Sequence, residues 1–371
     1  MVIRKEDLQS VCNKILTAVD TSELSVLNET LEIKTIGRFL RIAVTNREYY
    51  VEVKIDIHEE ADFHCTVNAK TFLKLVSAIT SDTITLTTTD KYLNIKANGN
   101  YKLPMIFNDD KLLELPIIKI DNPTAEFPIS ADILNSIALY NGKEVSRITN
   151  AANPANKMYY VDDKGCITFY QGACVNQFSL PSDVHILLND KLVRLFKLFK
   201  NGDVRFTLGY DALTDNIIQT KVSFESDSIR IVAIISCDDT LINSVPVEAI
   251  RGRALNDYPY SIVVDKSDML SAINRLLIFV STSNSSGVCP FKFSNDSVVI
   301  SSPDNTNTET IYYENDSTNI NSYSALLNLF DVKAILEVCT DSHITIKFGD
   351  SQAFVISRGT VHNVIPEAIQ N

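Results

Sequence analysis

Apolar residues follow two rhythms along this chain. Stretches with a helical period start near Asp7, Asp132 and Asp268, and each leads into runs where apolar and polar residues alternate. A shorter helical stretch returns in each third: Thr71-Phe-Leu-Lys-Leu-Val-Ser-Ala-Ile79, Lys191-Leu-Val-Arg-Leu-Phe-Lys-Leu-Phe199 and Val332-Lys-Ala-Ile-Leu-Glu-Val338. Each of these runs into a strand pattern, at Thr83–Thr87, Val204–Leu208 and His343–Phe348. The rhythm predicts a helix-then-strands unit repeated three times. Its period of about 120 to 140 residues is too long for a solenoid repeat and matches a whole domain.

Alternation is cleanest at Leu31–Thr35, Tyr92–Lys96 and Val222–Ser226, and looser at Phe39–Val44. Turn residues separate the strands at Asn98-Gly-Asn100, Asp163-Lys-Gly165 and Asn201-Gly-Asp203, and exposed loops are expected at Asn150–Asn156 and Pro303–Thr308. Strands outnumber helices, and the helices stand isolated between hairpins. The fold class expected is α+β, with two helices and antiparallel sheets in each third. Breaks at Lys119-Ile-Asp-Asn-Pro-Thr124 and Ile250-Arg-Gly-Arg-Ala-Leu-Asn-Asp-Tyr-Pro259 divide the chain into 1–121, 122–252 and 253–371.

Charge changes the picture. The chain carries a net charge of −12, which argues against an ordinary nucleic-acid binder. Yet the outer helix faces are basic. In the helix at 191–200, Leu192, Leu195, Phe196 and Phe199 share one side, and Lys191, Arg194, Lys197 and Lys200 share the other, with Asp190 placed to cap it. Lys14, Lys70 with Lys74, Lys143 with Arg147, Arg275 and Lys333 repeat the bias on the other helices. Acids collect in loops and strands, at Glu59, Glu60 and Asp62, at Asp109-Asp110, Asp162-Asp163 and Asp238-Asp239, and at Glu314 with Asp316. This segregation points to a basic inner surface within an acidic shell.

Chemistry is sparse. The seven cysteines are scattered and form no C-x-x-C, and the five histidines show no ligand spacing. No P-loop, H-E-x-x-H or nucleophile elbow occurs. No metal, no cofactor and no catalytic residues are expected. No apolar run is long enough to span a membrane, and Met1-Val-Ile-Arg-Lys-Glu-Asp7 does not read as a signal peptide, so a cytoplasmic protein with reduced thiols is expected.

The triplication, the helix beginning Ser267-Asp-Met-Leu-Ser-Ala-Ile-Asn-Arg275, the segment Gly165-Cys-Ile-Thr-Phe-Tyr-Gln-Gly172 and the closing strand Ala353-Phe-Val-Ile356 together resemble the bacterial-type DNA polymerase sliding clamp, the beta subunit of the replicase. The resemblance implies three clamp domains forming half of a ring. Two chains would close head to tail around duplex DNA as a processivity factor. It implies DNA-facing roles for Lys14, Lys74, Arg147, Lys191, Arg194, Lys197, Arg275 and Lys333, and a dimer contact at Leu103 and Met105 on one side and Ile278 and Phe279 on the other. It also implies an apolar pocket for peptides of DNA polymerase and clamp-loader subunits, involving Tyr170, Gly172, Val175, Thr240, Val245, Val355 and Ser357. This sequence departs from the family there. Gln171-Gly-Ala-Cys174 stands where the family carries Asp-Gly-His-Arg, Ser357-Arg-Gly359 where it carries Met-Pro-Met, and Thr360–Asn371 then reads as an added tail. The competing expectations are a clamp-like scaffold for transcription or repair proteins, and a metal-dependent enzyme of nucleic-acid metabolism, which would need convergent carboxylates.

Overall fold

The computed structural model describes residues 1–19, 25–46, 48–57, 62–148, 151–214, 217–235, 239–282, 287–315, 319–350 and 352–368. The acidic pairs expected at Glu59-Glu60 and at Asp238, and Asp316, lie outside the described residues. The chain forms two compact units, residues 1–135 with 191–236, and residues 136–190 with 237–371.

The repeated unit is visible in the backbone. In each third a strand runs directly into a helix, at Lys5–Leu16, at Ala131–Ser136 and at Lys266–Thr282. The first helical N–H of each donates to a carbonyl in the turn after the second helix: Lys5 to Asp82, Ala131 to Gly202 and Lys266 to Ser342, all at 2.8–2.9 Å. The strand before the first helix pairs antiparallel with the strand after the second, through Arg4–Thr83, Ser130–Asp203 and Asp265–His343. Three copies of one hydrogen-bonding scheme fix the same strand–helix–helix–strand geometry.

The second helices begin on a shared signal. The strands before them end at Asn68, Asn189 and Asn328. Asn68 Oδ1 accepts the Thr71 N–H and Asn328 Oδ1 accepts the Phe330 N–H, each at 2.9 Å. An asparagine there satisfies amides the helix cannot. Asp190, expected as a cap, is instead the first helical residue, and its carboxylate accepts the Tyr159 hydroxyl at 2.8 Å. Asn68→Ala should lower stability by about 1 kcal/mol in urea unfolding, with Asn328→Ala costing a similar amount; an unchanged midpoint for both would deny the caps their part.

Each helix buries one face. The Lys5 helix inserts Leu8, Val11, Cys12 and Ile15, and the Ala69 helix Phe72, Leu73 and Val76. At roughly 2 kcal/mol per buried large side chain, these faces outweigh propensity in holding such short helices. The middle helix departs from α geometry at Ile137–Asn141, a π turn, before resuming at Gly142–Ser146. There Asn141 is fully buried and donates to Thr168 Oγ1 at 3.2 Å and to the Cys174 carbonyl at 3.1 Å, which ties the helix to the sheet.

The first unit contains an eight-stranded antiparallel sheet. It runs from Pro123–Ser130 through 203–214, 217–225 and 229–235 to Tyr49–Asp56, Phe39–Thr45, Thr30–Ile36 and His64–Asn68. Strands of the middle third thus pair with strands of the first, Ile231 opposite Val51. The second unit contains a nine-stranded sheet in which Ala173–Gln177 pairs with Val361–Pro366. Burial is continuous along Leu40–Thr45, within the stretch of looser alternation, and Leu31–Ile33 are also buried on both faces. The segment 113–118 covers one face, with Leu115 and Ile118 packed on Ala43 and Tyr50. Under it lies a buried charge set that patterning does not show: Glu32 accepts from Arg41 and lies 2.8 Å from His64 Nε2.

Two readings of organisation change. Val247–Leu255 is a helix, not a linker, so the turn lies at 256–259. The stretch read as an added tail is a central strand, Val361–Pro366, between Ala173–Gln177 and Ala353–Arg358. Its alternation was obscured by His362 and Asn363, both buried and polar. The six described cysteines are free and buried, and burial pushes the Cys12 and Cys65 thiols up to about 12.

Candidate functional site

Three surfaces collect the residues singled out by the sequence. The first is a set of cations on the helices of the first unit. Lys74, Lys197 and Lys200 are exposed, and Lys14 is half-buried. The Lys14 ammonium is pushed below its usual range, first by burial and then by the like charge of Lys200. Two lysines far apart in sequence therefore share one positive field. Among the described residues, none of Lys14, Lys70, Lys74, Lys197 and Lys200 has a carboxylate within ion-pair distance. Lys191 lies 3.6 Å from Glu48, and Arg194 is exposed.

The second unit differs. Arg147 pairs with Glu144 at 3.2 Å and with Asp331. Arg275 grips Glu309 with two bonds of 2.7 Å. Lys333 lies 3.8 Å from Glu337, which also meets Lys143 at 3.1 Å. These three predicted DNA-facing cations have their charge matched locally, so the structure brings the basic set together chiefly in the first unit. Helical periodicity placed all of them outward; Glu144 and Glu337 sit one turn away on the same helices, whereas Asp331 and Glu309 reach Arg147 and Arg275 from another helix and a strand.

The second surface is a cavity of about 220 Å³ in the second unit. Phe169, Tyr170, Ile250, Val364 and Pro366 supply apolar walls, and Gly172 and Ala173 the backbone wall between them. A side chain at Gly172 would place its Cβ 2.5 Å from the Val364 carbonyl oxygen, so glycine permits the strand approach. Of the predicted pocket residues, Tyr170 and Gly172 line the cavity. Val175, Val245 and Val355 are buried in the apolar cluster that backs it. Thr240 is exposed on the helix Asp239–Asn243. Ser357 is buried and bonded to His362 Nδ1 at 2.9 Å, and so stabilises a strand pair. The reason is register: the wall-forming segment is Val364–Pro366, not Ser357–Gly359, because a further strand, Val361–Pro366, follows Ala353–Arg358. A larger cleft lies in the first unit among Glu126, Asp203, Arg205, Glu225 and Asp227; Arg205 pairs with Glu225 at 2.6 Å there, leaving the cleft acidic.

The third surface is a pair of open sheet edges. Asn100–Pro104 ends one four-stranded sheet and Thr308–Tyr312 ends another. Met105 N donates to the Lys91 carbonyl and Tyr313 N to the Asp296 carbonyl, so odd-numbered residues face the ladder in both strands. Even-numbered residues point their backbone outward, and Pro104, lacking an N–H, sits at one of those positions. Beside the second edge, Ile278 and Phe279 are 63% and 45% exposed, and Tyr312 is 73% exposed. Leu103 is buried and Met105 half-buried with a bridge to Val67, so the first side offers its backbone edge more than these side chains.

Solved structures share this fold over the length of the chain. The DNA polymerase III beta subunit of Borrelia burgdorferi superposes with a TM-score of 0.78 at 15% identity, covering 100% of this chain and 99% of that one. A sliding clamp from Pseudomonas aeruginosa bound to griselimycin gives 0.80 at 12% identity, again over 100% and 99%. The fold is that of a DNA sliding clamp. The Helicobacter pylori beta clamp bound to a DNA ligase peptide also superposes on the clamp fold, at 0.75 and 16% identity over 100% and 99%. In sequence, the beta sliding clamp of Helicobacter pylori strain J99 is 26% identical over 134 residues, 36% of this chain and about a third (35%) of that protein. No family profile matches the chain.

Proposed function

We propose that this chain is a DNA sliding clamp, a processivity factor whose homodimeric ring encircles duplex DNA and tethers DNA polymerase and other partners. The observation that carries the reading is the set of helix lysines without partner acids, presented on a clamp fold that extends over the whole chain. In this reading the chain has three clamp domains, 1–121, 122–252 and 253–371. Duplex DNA is held without sequence readout, since phosphate attraction alone is sequence-independent. The net charge of −12 discourages DNA from binding elsewhere on the protein.

The open edges Asn100–Pro104 and Thr308–Tyr312 would pair between two chains, each completing the other's sheet. The 220 Å³ cavity would receive a peptide segment from polymerase, from the clamp loader or from other DNA enzymes. The clamp of Helicobacter pylori bound to a DNA ligase peptide supports that reading by analogy. The ring would act by topology, with no catalytic group of its own.

Topology supplies the test. Chain loaded onto circular duplex DNA by a clamp-loading complex should remain bound through gel filtration in high salt. Cutting the circle once should release it. Equal retention on cut and uncut DNA would rule out encirclement.

A further inference from the structure

This inference rests on the docking role proposed for the cavity and concerns the chemistry of its occupant. An apolar cavity of about 150 Å³ accepts a benzene ring. The cavity here is about 220 Å³, so it admits one bulky apolar side chain and lacks room for two rings. Affinity would come chiefly from that side chain.

Selectivity has another source. Arg253 is the single charged group among the described lining residues. It is exposed, and its guanidinium donates to Gln352 Oε1 at 2.7 Å, a neutral acceptor. No carboxylate forms an ion pair with it among the described residues. Its neighbour Arg251 instead pairs with Asp162. The nearby acids are engaged elsewhere: Asp350 accepts the N–H groups of Gln352 and Ala353, and Glu367 accepts the Tyr323 hydroxyl at 2.6 Å. Gln352 is held at both backbone ends, by Asp350 and by the Glu367 N–H, so Arg253 is anchored at the rim with donor capacity remaining.

We propose that the occupant is a peptide segment carrying one bulky apolar residue next to an acidic one. The apolar side chain fills the cavity, and the carboxylate pairs with Arg253. A pair at an exposed rim contributes modestly, so the acid is expected to change affinity by about three- to tenfold while the apolar anchor decides whether binding occurs.

Random heptapeptides displayed on phage and selected on the immobilised full-length chain test this. Wild-type chain should enrich peptides with an acid beside a bulky apolar residue. Arg253→Glu should remove the acidic preference or replace it with a basic one, and Ile250→Asp should abolish enrichment of apolar anchors. Apolar anchors that enrich equally on wild type and R253E, with no acidic neighbour, would overturn the inference and leave the docking pocket standing. Enrichment unaffected by I250D would sink both.

Discussion

Replacing Lys74, Lys197 and Lys200 together with glutamine should weaken equilibrium binding to short linear duplex DNA, where open ends prevent topological retention, and flatten its salt dependence. Each lysine that neutralises a phosphate contributes about 0.9 to the slope of log affinity against log salt. A two-chain ring carries six of these lysines; with three of them on phosphate at one time, their loss removes about 2.7 from that slope, so the fall in affinity between 50 and 200 mM salt should shrink by roughly 40-fold. Arg147, Arg275 and Lys333 make the internal control. Their charge is already matched by Asp331, Glu309 and Glu337, so the corresponding triple change should alter the slope much less. Equal effects from the two sets would mean that the carboxylates yield to phosphate and that the first unit holds no special place.

Ile278→Glu should break the proposed homodimer. The side chain is 63% exposed in the single chain, beside the open strand Thr308–Tyr312. Closure of the proposed ring would bury it, and an unpaired carboxylate buried at an interface costs several kcal/mol. At 1.4 kcal/mol per factor of ten, the dissociation constant should rise by about 100-fold or more in analytical ultracentrifugation. Thr310→Pro is the backbone counterpart. It removes an outward-facing N–H while sparing the ladder to Ser297–Ser301, so it should also weaken dimerisation without lowering the thermal midpoint. A dimer untouched by either change would place the contact on another surface.

The repeat was legible because it depends on periodicity, and the six main helices lie where the apolar rhythm put them. Its deeper signature, Asn68, Asn189 and Asn328 at three strand–helix junctions, was present in the sequence but hidden by dissimilar residues around it. The final strand is not legible in the sequence because its buried positions include His362 and Asn363. Polar residues buried within a sheet look like a loop when burial is inferred from hydropathy. That single misreading shifted the pocket register from Val364 and Pro366 to Ser357. In sequence the helix Val247–Leu255 resembles a linker, because Gly252 and two arginines match a charged turn, yet it carries both Ile250 and Arg253 to the cavity. Ion pairing was the least legible property. Arg275 meets Glu309 from a strand 34 residues away, a distance at which one-dimensional charge patterning has no reach.

The central claim is a closed ring around DNA. Particle images of the purified chain, averaged by electron microscopy at micromolar concentration, test it most directly. The account predicts a two-chain ring with a central hole wide enough for duplex DNA, lined by the helices that carry Lys14, Lys74 and Lys197. Compact particles without a hole, or single chains alone, would contradict it.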